Sequence, residues 1–365
     1  MTPVNFYRLK LTSIGLILLI ILSAFVLPAQ AAVVEGLYEA EVPVANQGKS
    51  ARDEAVRIGL GEVFAKVSGK PGIGDTNEQI AEYMKTPENL LQQYLYRKLP
   101  EAQKAGGYTQ LLWVRFDEKA INAALRKNGV VVWGKTRPAT LVWLAVENGN
   151  RRYLVGGEIL PDIQDVLQAN AKRYGVALVM PLMDLEDQAA LRFADVWGNF
   201  QEAIFKASER YQADAILVGR LSVTGGNDWS AKWTIYQSGQ QTNWGSQSIA
   251  MEDVLSSGII GSMEVLAENF SQVIAGDGGN IELTVQDVKS LEGYTRVSTY
   301  LQSLEQTKRV IPSTLNGTMA AFSVEVRGSA EGLAKTISLG NTLRRVDAQN
   351  PDASNNNGLV YRLMP

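Results

Sequence analysis

Three acidic residues directly after an apolar segment offer the first candidate chemistry. Asp184, Glu186 and Asp187 follow the run Ala177–Met183, which reads as a buried strand. Open α/β sheets bind ligands beyond the carboxyl ends of their strands. With Asp195, these carboxylates are candidates for an oxygen-ligand cation site or an acid–base pair. A solvated loop after a buried strand is the alternative, because the spacing of a glycine-containing calcium loop is missing.

Aromatic residues on a predicted hairpin form a second candidate site. Trp229, Trp233 and Tyr236 lie on its first strand, and strand alternation places Trp229 and Trp233 on one face. If a helix covers that face, the two indoles belong to the core. If the face is open, it is a contact surface for a protein or a glycan, because Trp and Tyr combine a large apolar area with a polar atom.

The 365 residues include no histidine and no cysteine. This composition excludes Ser-His-Asp and Cys-His catalysis, thiolate redox chemistry, zinc sites built on His or Cys, and disulfides. Catalysis would have to use carboxylates, Lys, Tyr, Ser or Arg. The formal net charge of −3 argues against a dedicated nucleic-acid-binding protein. We therefore predict no cofactor, no resident metal and no nucleic-acid partner, and a binding protein is favoured over an enzyme.

The segment 48–50, Gly-Lys-Ser, lies between a predicted strand and a predicted helix, where a phosphate-binding loop would lie. Such a loop needs a glycine five residues earlier. That position is Pro43, which has no N–H, and Asp53 puts a negative charge in the first turn of the helix. We therefore predict that Ser50 caps the helix and that no nucleotide binds.

Residues 1–31 read as a secretory signal peptide. Arg8 and Lys10 precede an apolar run over residues 14–27, and small residues indicate cleavage after Ala31. That run would span about 21 Å, less than the hydrocarbon core of about 30 Å. We predict export to a bacterial periplasm with no stable membrane span after cleavage. An uncleaved segment that anchors the protein to the inner membrane is the alternative.

Patterning divides the remaining chain into three folded blocks and a tail. The predicted domains are an N-terminal α/β domain (32–136), a middle α/β domain (139–275), an end domain (280–347) and a mostly disordered tail (348–365). In the first block, the pattern predicts strands over Leu37–Val44, Gln110–Phe116 and Val130–Trp133, and helices over Ala51–Val67, Pro87–Lys98 and Glu118–Asn128. The expected class is therefore α/β and α+β, with several domains.

The middle block alternates apolar strands with amphipathic helices. Strands are predicted over Leu141–Val146, Ala177–Met183 and Ala215–Val223, helices over Asp162–Tyr174 and Asn199–Tyr211, then a hairpin over Trp229–Gln237 and Thr242–Ile249 and a helix over Glu252–Val273. Phe200 is placed on the apolar side of its helix. Near-continuous apolar runs are typical of strands covered on both faces, so βαβ units with a partly parallel sheet are expected. The end block has the βαββαβ order of a ferredoxin-like fold, with Asn316-Gly317 at the hairpin turn.

Several short motifs carry a resemblance. They are Ala51-Arg52 opening a helix that Val67-Ser68-Gly69-Lys70 closes, Val132-Trp133-Gly134 followed by Arg137-Pro138 and Trp143, and Arg327-Gly328-Ser329. In these motifs the chain resembles an uncharacterised family of predicted periplasmic gammaproteobacterial proteins with a domain of unknown function. The stretch Ala213–Leu221 of the middle block resembles the amino-terminal domain of TolB. The resemblance implies binding to other envelope proteins and no catalysis.

The sequence therefore predicts an exported, non-catalytic envelope protein that binds or assembles other envelope proteins. The alternative is an envelope hydrolase that uses carboxylates or lysine on peptidoglycan or glycan. Such a hydrolase needs two acidic groups about 5–10 Å apart in a cleft beside aromatic residues.

Overall fold

The structure is a computed structural model, and it describes residues 32–99, 107–224, 228–274, 278–346 and 359–365. All described residues belong to one compact unit. The predicted signal peptide over residues 1–31 lies outside the described residues. Within the described ranges, no helix is long and apolar enough to cross a membrane.

The N-terminal part is a three-stranded antiparallel sheet, in the order β2-β4-β3, packed against a long helix. Its elements are β1 (Ala32–Val33), β2 (Glu39–Val44), α1 (Lys49–Ser68), α2 (Ile73–Thr76), α3 (Glu78–Tyr83), a 3₁₀ turn (Pro87–Asn89), β3 (Leu91–Lys98), β4 (Gln110–Phe116), α4 (Glu118–Lys127) and β5 (Thr136–Arg137). Helix α1 packs on the sheet through Val56, Leu60 and Val63, which recur on one face. It ends at Gly69, whose left-handed φ of 68° favours glycine.

The helix predicted over Pro87–Lys98 is wrong. Only the 3₁₀ turn at Pro87–Asn89 is helical, and the residues from Leu91 onward pair with β4 as strand β3. Tyr94 and Tyr96 point to the same face of the sheet, and their rings meet edge-on with centroids 6.2 Å apart. The alternation of these aromatic residues is a strand pattern, which the proline at the start of the segment obscures.

Two smaller predictions for this part are also wrong. Ser50 does not cap α1, because the helix already begins at Lys49 and the N–H of Gly48 donates to the side chain of Asn46 at 2.8 Å. Residues 130–133 form no strand. Instead, the last of them donates its backbone N–H to the carbonyl oxygen of Val67 at 2.7 Å, at the end of α1.

The middle part contains a six-stranded sheet in the order β11-β10-β9-β6-β7, with β8 also paired to β6. Its elements are β6 (Ala139–Asn148), β7 (Arg151–Val155), α5 (Pro161–Tyr174), β8 (Ala177–Val179), α6 (Leu185–Ala190), α7 (Phe193–Trp197), α8 (Gln201–Ser208), a 3₁₀ turn (Glu209–Tyr211), β9 (Ala215–Thr224), β10 (Asp228–Gln237), β11 (Gln240–Ser248) and α9 (Met251–Ile274). Strand β6 runs parallel to β8 and β9, as the βαβ pattern predicts, and the predicted hairpin is present. The mixed α/β class is therefore confirmed.

Both faces of this sheet are apolar, and helices of different length cover them. Val142 and Leu144 of β6 contact the long helices α5 and α9. Leu141 and Trp143 alternate with them and contact a second core with the short helices α7 and α8. We call the first side the long-helix face. We call the second side, covered by residues 182–212, the short-helix face.

Arg137 joins the N-terminal part to the long-helix face. Its guanidinium is fully buried and donates to the backbone carbonyl oxygens of Lys66 (2.7 Å), Trp133 (2.9 Å), Gly134 (3.0 Å) and Gly175 (2.6 Å). Lys66 and Gly175 lie at the C-terminal ends of α1 and α5, where the helix dipoles concentrate negative partial charge. Carbonyl oxygens from two helix ends therefore offset the charge of a buried guanidinium that has no carboxylate partner among the described residues.

The end part is a five-stranded sheet in the order β13-β14-β12-β16-β15. Its elements are β12 (Gly279–Gln286), α10 (Leu291–Ser303), β13 (Thr307–Asn316), β14 (Met319–Val326), α11 (Ala330–Ser338), β15 (Leu343–Arg345) and β16 (Leu359–Leu363). The predicted βαββαβ order is present in its first six elements. The hairpin between β13 and β14 turns at Gly317, where φ is 58°.

The prediction of a mostly disordered tail is wrong for the last residues of the chain. Strand β16 lies inside the sheet, parallel to β12 and antiparallel to β15. Tyr361 is fully buried in the core of the end part. A fifth strand thus separates the first strand of the βαββαβ unit from its fourth. Residues 347–358 lie outside the described residues.

Candidate functional site

The predicted acidic residues lie at the start of helix α6. Asp184 is its N-cap and accepts hydrogen bonds from the backbone N–H groups of Glu186 at 3.1 Å and Asp187 at 3.0 Å. The residue type explains this local structure, because an aspartate oxygen replaces the missing acceptor for the first N–H groups of a helix. The positive end of the helix dipole also favours negative charge there.

Arg210, which follows helix α8, contacts all three acidic side chains. Its two terminal nitrogens bind the carboxylate of Asp184 in a bidentate pair, at 2.7 and 2.9 Å. One of them also binds Asp187 at 3.0 Å, and the other lies 3.5 Å from Glu186. The hydrogen bonds from Arg210, together with the backbone N–H of Asp187, lower the pKa of Asp184 to about 2.

Asp187 is buried, and its second carboxylate oxygen is also occupied. That oxygen accepts hydrogen bonds from the backbone N–H of Met183 at 2.8 Å and from the hydroxyl of Tyr211. The same hydroxyl accepts the N–H of Leu182 at 2.8 Å. Burial and the bond to Asp187 raise the pKa of Tyr211 above its ordinary value. This network fastens the residues before α6 to the turn after α8.

The geometry suits a structural clamp better than a cation site or an acid–base pair. Arg210 and Tyr211 occupy the carboxylate oxygens that would face a cation or a substrate. Among the described residues, no cluster of three or more His, Cys, Asp or Glu side chains is arranged to hold a metal ion. Asp184 and Asp187 therefore fasten the start of α6 to Arg210 in the turn after α8.

The predicted aromatic residues lie on opposite faces of the sheet. Trp233 is 1% exposed beneath α9, and its indole N–H donates to the carbonyl oxygen of Val254 at 3.2 Å. Trp229 packs against the same core. Tyr236 is buried on the short-helix face, where the ring of Phe205 meets it edge-on with centroids 5.1 Å apart. The face that holds the two indoles is thus covered by a helix.

The short-helix face exposes large apolar side chains. The exposed fractions are 61% for Leu182, 85% for Leu185, 57% for Phe200 and 38% for Phe205. Phe193 and Trp197 of α7 form a stacked, half-buried pair on the same side of the sheet. On the long-helix face, by contrast, none of the described large apolar side chains of α5 and α9 is exposed. Apolar side chains grouped on one surface indicate a contact site, whereas scattered ones are ordinary.

Three residues of the short-helix face have a left-handed backbone although they are not glycines. The φ angles are 52° at Met183, 55° at Asn199 and 46° at Gln212. They lie before α6, between α7 and α8, and after the 3₁₀ turn. Each such residue costs about 1 kcal/mol or more, and this kind of strain is concentrated at functional sites. The chain therefore maintains a strained arrangement of short helices on this face.

The charge of the short-helix face is negative. Residues 182–212 contain six acidic and three basic residues, and their net charge of −3 equals the formal net charge of the whole chain. Glu186, Glu202 and Glu209 are exposed. The exposed leucines and phenylalanines therefore lie among acidic side chains.

The sequence identified the carboxylates of this face but missed their partners and the exposed apolar residues. The strand predicted over Ala177–Met183 ends at Val179, and Leu182 lies beyond it on the surface. Pro181 is the signal that could have shortened the strand, because proline is excluded from central strands. Phe200, which the pattern places on the apolar side of its helix, precedes α8 and is exposed.

Comparisons with known proteins concern the N-terminal part most directly. Residues 31–134 match a family described as "Domain of unknown function (DUF8605)", which confirms the expected resemblance to a domain of unknown function over that range. No curated protein sequence matches the chain. A solved structure described as "Crystal structure of uncharacterized protein" aligns with 38% of this chain and 94% of its own chain, at 9% identity and a TM-score of 0.15. The short-helix face lies outside the matched family.

Proposed function

We propose that the protein is a non-catalytic binding or assembly factor of the bacterial cell envelope and that the short-helix face is its partner-binding surface. The proposal includes export to the periplasm by a signal peptide cleaved after Ala31. It also includes a middle part related to the amino-terminal domain of TolB and an end part related to ferredoxin-like folds with an added strand.

The exposure of Leu182, Leu185 and Phe200 carries this proposal. Full burial of one such side chain against a partner is worth roughly 1.5–3 kcal/mol relative to exposure. The Arg210 clamp and its carboxylates hold the segment in one conformation, so little conformational entropy would be lost when a partner docks. A rigid apolar surface with satisfied polar groups around it has the properties of an interface core.

The partner that fits this surface is a protein segment with apolar side chains flanked by lysine or arginine. Glu186, Glu202 and Glu209 give the face its negative charge, which would orient a basic partner and speed its association. A partner rich in acidic residues would be repelled. The proposed binding should therefore weaken as ionic strength rises, because exposed charges are screened by salt.

The candidate acidic residues do not favour the alternative carboxylate hydrolase. A general acid in such an enzyme requires a raised carboxyl pKa. The pKa of Asp184 is instead lowered to about 2 by Arg210. Lys66 is buried at the junction of two parts, where its amine donates to the carbonyl oxygen of Glu39 at 2.5 Å, so it faces backbone atoms.

Site-specific photo-crosslinking in the producing cells tests the proposal. A photoreactive residue in place of Leu185 or Phe200 is expected to capture the same partner protein. Ile249 is the matched control, because it is an apolar residue exposed to 81% after strand β11, outside the short-helix face. Equal capture from all three positions, or from Ile249 alone, would contradict the proposed surface.

A turnover assay addresses the catalytic alternative separately. Purified mature protein is expected to release no product from peptidoglycan or glycan substrates. Turnover that an Asp184→Asn substitution abolishes would overturn a non-catalytic role.

A further inference from the structure

A cavity of about 570 Å³ lies in the end part, at the start of helix α10 and beside the last residues of the chain. It is distant in sequence from the short-helix face. Its charged lining consists of Lys289, Arg296, Arg344, Arg362, Asp287 and Glu292. The four basic side chains outnumber the two acidic ones, so the cavity carries a net positive charge in a protein whose net charge is negative.

Two of these arginines face each other across neighbouring strands. Arg344 of β15 and Arg362 of β16 are directly opposite in the antiparallel register, so both point to the same face of the sheet. Like charges in this position destabilise a sheet. Arg362 lies 3.3 Å from a carboxylate oxygen of Asp287, whereas Arg344 has no ion pair within the described part of the chain. Among the described residues, none therefore compensates the positive charge of Arg344 with an ion pair.

Two basic groups of the lining share a single carboxylate, so they can still bind an anion. Lys289 lies 3.5 Å from the second carboxylate oxygen of Asp287, so one carboxylate serves two cations. Arg296 donates to a backbone oxygen of Pro365 at 3.0 Å. Asp287, which also lines the cavity, has a strained left-handed backbone with φ of 64°.

We propose that this cavity binds a phosphate-type oxyanion, either free or as part of a larger molecule. Guanidinium groups match the geometry of phosphate oxygens through paired hydrogen bonds, and two of them on one face can share one phosphate. The excess of basic over acidic side chains in the lining suits an anion. The volume lies within the range of small-molecule sites, so a phosphate with an attached organic group also fits.

Titration calorimetry of the full mature chain with inorganic phosphate tests the site. An Arg344→Ala substitution is expected to weaken phosphate binding about tenfold or more, since it removes a charged hydrogen-bond donor. Arg345→Ala is the matched control, because Arg345 is the adjacent residue of β15 and points to the opposite face of the sheet. It should change the affinity less than about twofold.

The absence of phosphate binding to the unsubstituted protein, or equal weakening by both substitutions, would overturn the proposed site. Sedimentation with vesicles then distinguishes the source of the phosphate. Binding to phosphatidylglycerol vesicles that Arg344→Ala abolishes, with none to phosphatidylcholine vesicles, identifies a lipid headgroup. Binding of inorganic phosphate without vesicle binding identifies a soluble phosphate compound.

Discussion

The two faces of the six-stranded middle sheet are covered in different ways. On the long-helix face, none of the described large apolar side chains of α5 and α9 is exposed, and Arg137 fastens the N-terminal part to the end of α5. On the short-helix face, α6–α8 bury a smaller core and leave leucines and phenylalanines exposed. One face is thus closed by its helices, whereas the short helices on the other face leave large apolar side chains exposed. This difference is the observation behind the proposed partner-binding role of the short-helix face.

The largest effect is expected from Trp233→Ala on the long-helix face. The side chain is 1% exposed and packs beneath α9, so its removal leaves a large cavity. We expect a loss of about 3–5 kcal/mol in the free energy of unfolding. Urea denaturation measures it. A loss below about 1 kcal/mol would show that the long-helix face is not tightly packed.

Arg137→Ala should have the next largest effect. The substitution removes a buried guanidinium and leaves the carbonyl oxygens of Lys66 and Gly175 without their donor. We expect a cost of about 3 kcal/mol. Arg137→Lys should recover little of this, because an ammonium group cannot reproduce the planar fork. Full rescue by lysine in thermal unfolding would argue that charge alone holds the junction.

Lys66 gives the junction a pH dependence. Burial lowers the pKa of its amine to about 8. Between about pH 8 and the pKa of the unfolded chain, the unfolded state binds more protons, so stability should rise with pH. Relative to Lys66→Met, the natural protein should gain about 3 kcal/mol across this window. Parallel pH profiles for the two proteins would contradict a lowered pKa.

The pair of Asp184 and Arg210, which clamps the short-helix face, should contribute less stability in acid. The pKa of Asp184 is about 2 in the folded state, below its ordinary value, so its contribution is present above about pH 4 and lost as pH falls toward 2. Arg210→Gln should reduce this pH dependence and lower stability less than the two core substitutions. Chemical denaturation of both proteins across the acid range checks this. If Arg210→Gln and the natural protein lose the same stability as pH falls, the pair of Asp184 and Arg210 does not cause the acid dependence.

The smallest effect on stability is expected from Leu185→Ser. Its side chain is 85% exposed, so the free energy of unfolding should change by less than about 0.5 kcal/mol. The same substitution should weaken partner binding. Ile249→Ser is the control, with an equally small effect on stability and none on binding. A large loss of stability in Leu185→Ser would show that this leucine belongs to the core.

The apolar runs predicted the middle sheet well. Leu141 and Val142 of β6 point to opposite faces of the sheet, and both are buried. Local patterns failed where distant pairing decides the structure. Strand β3 forms because β4 lies beside it, and β16 is a strand because β12 and β15 flank it. The local sequences of β3 and β16 do not show any of these three partner strands.

The candidate site was only partly predictable for the same reason. Asp184 and Asp187 were identifiable as an acidic pair after a strand, but Arg210 lies more than twenty residues away, and only the fold brings it to them. Exposure was less predictable still. Leu185 and Phe200 have the residue types of a core, and their exposure follows from the breaks between short helices, which local periodicity does not report.

If a partner covers the short-helix face, a residue on that face should be protected in the presence of the partner, whereas a residue elsewhere on the surface should not. Because the chain has no cysteine, single substitutions Leu185→Cys and Ile249→Cys each provide one thiol for labelling. In the purified protein, both thiols should react at similar rates. In extracts of the producing cells, we expect the labelling rate of the thiol at position 185 to fall at least about tenfold. The labelling rate of the thiol at position 249 should be unchanged. Equal labelling of the two positions in both settings would contradict the claim.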